Sequence, residues 1–250
     1  MDSGKAVRLN RLMARDGKTL IAALDHGIAG ISPLEGLERP GDLIPVLAEA
    51  GVDAVIVTPG VLLRFPKTFG KLGIVVRADC GPTAFTGEWS ENRPSVVVED
   101  ALRMGADAVI AMGIVGSPGE SESLRALSGL AGECTRCGVP LLAEMLPGGF
   151  AATNCSPDQI CAAARLGAEL GADIIKIRYS GALENFRAVT RSCYQPVIVL
   201  GGSKQELDQL ATSTREAMAA GAVGAAVGRN IWQSRVPAQV ARALAEAIHG

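Results

Sequence analysis

Leu170-Gly171-Ala172-Asp173-Ile174-Ile175-Lys176-Ile177 is the stretch that decides the fold. It reads as a helix end, a glycine stop and a buried strand, because the β-branched run after Gly171 is too short for a helix. The phrase occurs earlier as Ala50-Gly51-Val52-Asp53-Ala54-Val55-Ile56-Val57 and as Met104-Gly105-Ala106-Asp107-Ala108-Val109-Ile110-Ala111. A looser copy is Ala220-Gly221-Ala222-Val223-Gly224-Ala225-Ala226-Val227. Four further runs have the same strand character: Thr19–Asp25, Gly73–Asp79, Val139–Glu144 and Pro196–Gly201. Amphipathic stretches separate most of them, among them Asp42–Ala50, Ser95–Met104, Ser121–Cys137, Pro157–Leu170, Ala182–Ser192, Ser203–Ala220 and Pro237–Ile248. Arg8–Arg15 reads as a short helix before the first strand, and Pro59–Lys71 as a weaker one interrupted by Pro66.

Eight strands alternating with helices in 250 residues is the arithmetic of a (β/α)8 TIM barrel. The same units can also build an open doubly wound sheet. That fold usually has fewer strands at this length and often a glycine-rich turn after the first. Here the first strand runs into Asp25-His26-Gly27, with no G-x-G-x-x-G. No linker or low-complexity segment divides the chain, so residues 1–250 are expected to form one α/β barrel domain with a short N-terminal helix.

Composition agrees. Hydrophobic residues make up 48% and aromatics only 4%, so Ala, Val, Leu and Ile fill the apolar share, as in parallel sheets covered by helices. A net charge of −2 gives no basic groove for nucleic acid. The first eighteen residues are too polar for a signal peptide, and no apolar stretch approaches the roughly 18 residues that span a membrane. Six scattered cysteines in a chain large enough to build its own core point to a reducing, cytoplasmic setting.

Chemistry in such a barrel sits at the C-terminal ends of the strands. The polar groups there are Asp25 after strand 1, Asp79 after strand 3, Glu144 ending strand 5 and Lys176 in strand 6. Asp53, Asp107 and Asp173 fall at the opposite end, where they are expected to brace the bottom face. Side chains alternate along a strand, so Lys176 and Arg178 share one face while Ile175 and Ile177 take the other. The isoleucines suit the helix layer, which turns Lys176 into the barrel. A desolvated lysine amine beside carboxylic acids is the equipment for Schiff-base chemistry on a ketone. The other reading is a purely structural ion pair with Asp25 or Glu144. His26 follows Asp25 and reads as a structural histidine.

Gly201-Gly202-Ser203 closes strand 7 and opens a helix, and Gly228-Arg229 does the same after strand 8. Loops at these two strands are the usual barrel site for a phosphate. Cys134-Thr135-Arg136-Cys137 is a lone C-x-x-C without zinc spacing, so neither a metal nor a redox role is expected. The run from Arg77 to Thr83 fits a substrate loop or a surface turn equally well.

The segments LDHGI (Leu24–Ile28), LGADIIKIRYSG (Leu170–Gly181), VLGGSK (Val199–Lys204) and AAVGRNIWQ (Ala225–Gln233) resemble the archaeal-type class I fructose-bisphosphate aldolases. That group includes the 2-amino-3,7-dideoxy-D-threo-hept-6-ulosonate synthases and related deoxyribose-phosphate-aldolase-like enzymes. The resemblance implies a lyase of (β/α)8 fold with no metal or other cofactor. It maps the Schiff-base lysine onto Lys176, the strand-1 aspartate onto Asp25, and the phosphate loops onto Gly201, Gly202, Ser203, Gly228 and Arg229. Arg178 joins the candidate phosphate ligands. The implied partners are a phosphorylated ketose or keto-donor, an aldehyde, and further copies of the chain, as a homo-oligomer of up to ten.

One departure stands out. The family carries W-x-Y-P-R-G after strand 5, with the tyrosine as proton donor, whereas this chain reads Glu144-Met145-Leu146-Pro147-Gly148-Gly149. Leucine transfers no proton. Proton transfer then falls to Glu144, Asp25 or a bound water, and a Glu144 in a dry interior is expected to have a raised pKa. The strand-3 segment Asp79–Trp89 is also unlike the glycolytic members. These differences point to a specialised aldolase joining dihydroxyacetone phosphate or a similar keto-donor to an unusual aldehyde. The alternatives on the same fold are an ordinary fructose-bisphosphate aldolase, a thiolase-like acyl transferase and a non-catalytic sugar-phosphate binder.

Overall fold

A computed structural model describes residues 3–31, 33–81, 83–85, 92–149, 152 and 154–250. Eight parallel strands close into a barrel: β1 (Thr19–Ala23), β2 (Ala54–Val57), β3 (Gly73–Arg77), β4 (Ala108–Val115), β5 (Leu141–Pro147), β6 (Ile174–Ile177), β7 (Val197–Leu200) and β8 (Gly224–Val227). Each pairs with its neighbours in chain order, and β1 closes on β8 through Thr19↔Gly224. All eight expected strands are present. Strands β4 and β5 run four and three residues further than their apolar cores suggested, past Ala111 and Glu144. Gly113 permits this. A Cβ there would sit 2.6 Å from the Met145 sulfur, so a larger residue would push the Met145 side chain aside.

The alternation splits the core into two layers. Ile21, Ile56, Val75, Ile110, Leu142, Ile174 and Ile198 fill the barrel interior, with Leu12 plugging it from below. Ile175, Ile177, Val55 and Val109 face the helices. Burying each such side chain contributes about 1.5–3 kcal/mol before chain entropy is charged against it.

The repeat acts as one device used four times. Gly51, Gly105, Gly171 and Gly221 all take left-handed φ, between 90° and 99°, and turn each helix into its strand. In three copies the following aspartate accepts a strand amide: Asp53 from Leu20 at 2.7 Å, Asp107 from Ile74 at 3.0 Å, and Asp173 from Leu141 at 2.9 Å. Asp107 and Asp173 also pair with Arg11 and Lys5 of the N-terminal helix.

That helix, α1, spans Ser3–Leu12 rather than Arg8–Arg15. The chain turns at Gly17, and Thr19 Oγ1 donates to Leu12 O at 2.6 Å, so the helix stops where Leu12 enters the barrel. The outer helices are α2 (Pro40–Glu49), α3 (Pro59–Arg64), α4 (Val98–Met104), α5 (Glu120–Cys137), α6 (Pro157–Glu169), α7 (Leu183–Ser192), α8 (Leu207–Ala219), α9 (Arg229–Trp232) and α10 (Pro237–His249). α3 stops before Pro66, as its proline requires. Among the described residues no helix is long and apolar enough to cross a membrane. Cys134 and Cys137 end α5, and burial pushes the Cys134 thiol up to about 12, which leaves it unreactive.

Candidate active site

A cavity of about 470 Å³ opens at the C-terminal end of the barrel. Lys176, Asp25, Glu144, Arg178, Gly201, Gly202, Ser203, Gly228 and Arg229 all line it. Glu144 is not at the end of β5 but at its middle, in register with Lys176 of β6 on one side and Met112 of β4 on the other. Glu144 Oε1 lies 2.6 Å from Lys176 Nζ.

A residue that the strand-end inventory passed over organises this floor. Arg77, the last residue of β3, is 4% exposed. Its Nε donates to Asp25 Oδ2 at 2.8 Å, Nη1 to Asp79 Oδ1 at 3.2 Å and Nη2 to Glu144 Oε2 at 2.5 Å. Asp79 is tied down in turn, accepting from the Asn92 amide and from Met112 N. Asp79–Cys80 forms a short antiparallel pair with Arg93–Pro94, which returns Asn92 to the barrel. The start of the run from Arg77 to Thr83 is therefore buried floor, not a surface turn. Pro82 and residues 86–91, which belong to the unusual segment after strand 3, lie outside the described residues.

Electrostatics follow from this arrangement. Burial raises the Glu144 carboxyl, but Lys176 and then Arg77 outweigh it and hold the group at about 2. The expectation of a raised pKa is therefore corrected: Glu144 is a carboxylate at rest, because two cations touch it. Burial acts the same way on Asp25, and Arg77 followed by Lys176 keeps it below its ordinary value. Burial works against the charge of Arg77, yet Asp25, Glu144 and Asp79 raise its pKa further. Burial, the largest influence, lowers the pKa of His26, whose ring meets that of Trp232 in a T-shaped contact.

The strand 7 and strand 8 loops meet above Lys176. α8 begins only at Leu207, so Gly201–Ser203 forms a free-standing turn rather than a helix N-terminus as expected. Asn230, which follows Arg229 in the strand 8 motif, staples the two loops. Its Nδ2 donates to Gly201 O at 2.9 Å and to Ser203 O at 3.0 Å, and its Oδ1 accepts from Gln205 N at 2.9 Å. Arg229 Nη2 donates to Gly202 O at 3.3 Å, while its buried Nε has no hydrogen-bond partner among the described residues.

A floor holding one lysine between carboxylates, under a cationic rim, is equipped to form an imine with a ketone and to move the accompanying protons. Residues 19–234 match the model of the DeoC/LacD family aldolases. The chain is 34% identical to a 2-amino-3,7-dideoxy-D-threo-hept-6-ulosonate synthase from Halobacterium salinarum, over 99% of this chain and 92% of that one. It is 32% identical to a class 1 fructose-bisphosphate aldolase from Thermoproteus tenax, over 96% and 93%. Among solved structures it resembles an archaeal fructose-1,6-bisphosphate aldolase with its catalytic lysine covalently bound to the carbinolamine intermediate of the substrate. The TM-score is 0.86 at 29% identity, covering 98% of this chain and all of that one (100%).

Proposed function

The chain belongs to the DeoC/LacD family of aldolases and is a class I, Schiff-base lyase, and from that premise we propose that Lys176 forms the imine, with a phosphorylated keto-donor as its substrate. The single observation that carries the assignment is the Glu144–Lys176 pair at 2.6 Å on the cavity floor. Glu144 Oε1 takes a proton from Nζ, and the freed amine attacks the donor carbonyl. The carbinolamine hydroxyl takes that proton from Glu144 and leaves as water, which restores the carboxylate and gives the iminium. The iminium draws electrons from the neighbouring carbon as a metal ion does in other aldolases.

Glu144 and Asp25 then compete for one task, removal of a proton from that carbon. Glu144 is favoured because it already touches the reacting nitrogen, whereas Asp25 is bound to Arg77 Nε. Asp25 keeps the floor negative and faces the donor hydroxyls. The phosphate sits against Gly201–Ser203 and Gly228, with Arg229 and Arg178 as its cations. The orphaned Arg229 Nε supports this placement, since a buried donor without a partner is costly unless a ligand meets it.

With leucine at position 146, the reading is a specialised aldolase rather than a fructose-bisphosphate enzyme. Borohydride reduction in the presence of dihydroxyacetone phosphate tests it. Intact mass should rise by one reduced ligand, located on the peptide that contains Lys176, and Lys176→Ala should abolish both label and turnover. Labelling that persists in Lys176→Ala rejects the assignment.

A further inference from the structure

The cavity is lopsided in charge. Among the described residues its lining holds four cations: Arg77, Lys176, Arg178 and Arg229. Arg178 and Arg229 stand on the arc formed by β6, β7 and β8, beside the Gly201–Ser203 turn. Lys176 is the reacting amine, and Arg77 is occupied by three carboxylates. The facing arc is lined by Ile28, Ala29 and Ile31 after β1, by Met112 of β4, and by Leu146 and Ala152 on and after β5. None of these side chains carries a charge or a hydrogen-bond donor; His26, which also lines the cavity, packs against Gly228 on the β8 side. Nor does the chain hold a hidden cation, because no position outside the described set (1–2, 32, 82, 86–91, 150–151 and 153) is Lys or Arg.

The floor reinforces the asymmetry. Asp25, Asp79 and Glu144 outnumber Arg77 and Lys176 by three to two. An anion brought to the apolar arc would lose its water and meet a net negative floor without a donor to replace that water. An aliphatic chain there would meet methyl and thioether groups instead.

We propose that the apolar arc receives the aldehyde acceptor and that this acceptor is uncharged and aliphatic next to its carbonyl. The inference rests on the reading above, in which the donor phosphate occupies the β7–β8 side. In the bond-forming step the enamine carbon of the donor attacks the aldehyde carbon. The carbonyl electron pair moves to its oxygen, which takes back the proton that Glu144 removed from the donor. Water then adds to the iminium, releasing the product ketone and the Lys176 amine. Leu146 thus does more than lack a hydroxyl: it forms part of the acceptor wall.

The experiment is a comparison of propanal, butanal and glyceraldehyde 3-phosphate as acceptors, with dihydroxyacetone phosphate as donor and a parallel borohydride arm. Each uncharged aldehyde should have a kcat/KM at least tenfold above that of glyceraldehyde 3-phosphate. Leu146→Arg, which brings a cation to the arc, should shrink that ratio at least tenfold. A donor adduct at Lys176 accompanied by preference for the phosphorylated aldehyde overturns the acceptor assignment alone. So does a ratio that Leu146→Arg leaves unmoved. Absence of any donor adduct overturns the donor reading, and the acceptor assignment falls with it.

Discussion

Glu144 and Lys176 stand directly opposite each other on adjacent strands, with Oε1 2.6 Å from Nζ, while the other carboxylate oxygen of Glu144 is held by Arg77. The carboxylate is therefore gripped from both sides, by Arg77 and by the lysine proposed above to form the imine. On that proposal, imine formation at Lys176 changes its hold on Glu144 and leaves that of Arg77 in place. This leaves Glu144 placed to gain and return a proton at the reacting nitrogen and the carbon beside it.

Glu144→Gln keeps the shape of the side chain but removes the base. A positioned acid–base group contributes typically 10²–10⁴-fold to rate. The variant should turn over at least tenfold more slowly with any accepted substrate pair, while borohydride trapping at Lys176 remains detectable. Steady-state rates and intact mass measured on one preparation check this. An unchanged kcat would reduce Glu144 to a structural partner of the lysine.

Arg77→Met tests the floor as a unit. Removing the guanidinium leaves Asp25, Asp79 and Glu144 buried with only Lys176 among them. Breaking a buried ion pair by taking one partner away costs about 3–5 kcal/mol. In a domain of this size that is roughly 6–20 °C in Tm. Without Arg77, Asp25 and Glu144 are held less acidic, so more of them protonate on mild acidification and the penalty eases. The Tm gap between wild type and variant should therefore narrow from pH 7 to pH 5. A gap independent of pH would mean that packing, not charge, is what was lost.

The barrel was legible because its signals are local. Four copies of one glycine step and a period of two within each strand suffice to place Lys176 inward and Ile175 outward. The same alternation applied to Gly73–Arg77 would have turned Arg77 inward beside Val75. Attention to the strand ends passed over it. Asn92 was beyond reach, because its contact with Asp79 depends on how the intervening segment returns to the barrel. The direction of the Glu144 shift was equally hidden. Burial alone argues for a raised pKa; Lys176 on the next strand opposes it most, and the second cation, Arg77, comes from a strand two places away. The early expected start of α8 has a simpler cause. Ser203 looks like an N-cap residue, but the chain stays irregular until Glu206, where Asn230 has finished bonding the turn.

On the proposed placement of the donor phosphate, Arg229→Ala removes a charge-assisted contact worth about 1.5–3 kcal/mol. A contact made equally in ground and transition states should raise KM for the keto-donor about 10- to 100-fold with kcat little changed. The KM of the aldehyde should stay the same, since Arg229 lies beside the Gly201–Ser203 turn, on the side proposed for the donor phosphate. A rise confined to the aldehyde would exchange the two halves of the site.

Acid stability provides a measure of Glu144 that does not depend on turnover. Its carboxyl sits at about 2 in the folded chain against an ordinary value of 4.5. A depressed folded pKa contributes stability that is complete above the unfolded value and is lost as pH falls through the folded one. The contribution of Glu144 is therefore whole at pH 6 and disappears between about pH 4.5 and pH 2. Asp25, also held below its ordinary value by Arg77 and Lys176 against the penalty of burial, weakens in the same direction. Urea unfolding at pH 6, 5, 4 and 3 should show wild type losing stability more steeply than Glu144→Gln below pH 4.5. The two stability curves should converge at the acid end, because the protonated Glu144 carboxyl and the amide of the Glu144→Gln variant are both neutral there. Parallel curves would show that Glu144 keeps the same proton affinity folded and unfolded, and that the grip of Arg77 and Lys176 on it has no thermodynamic weight.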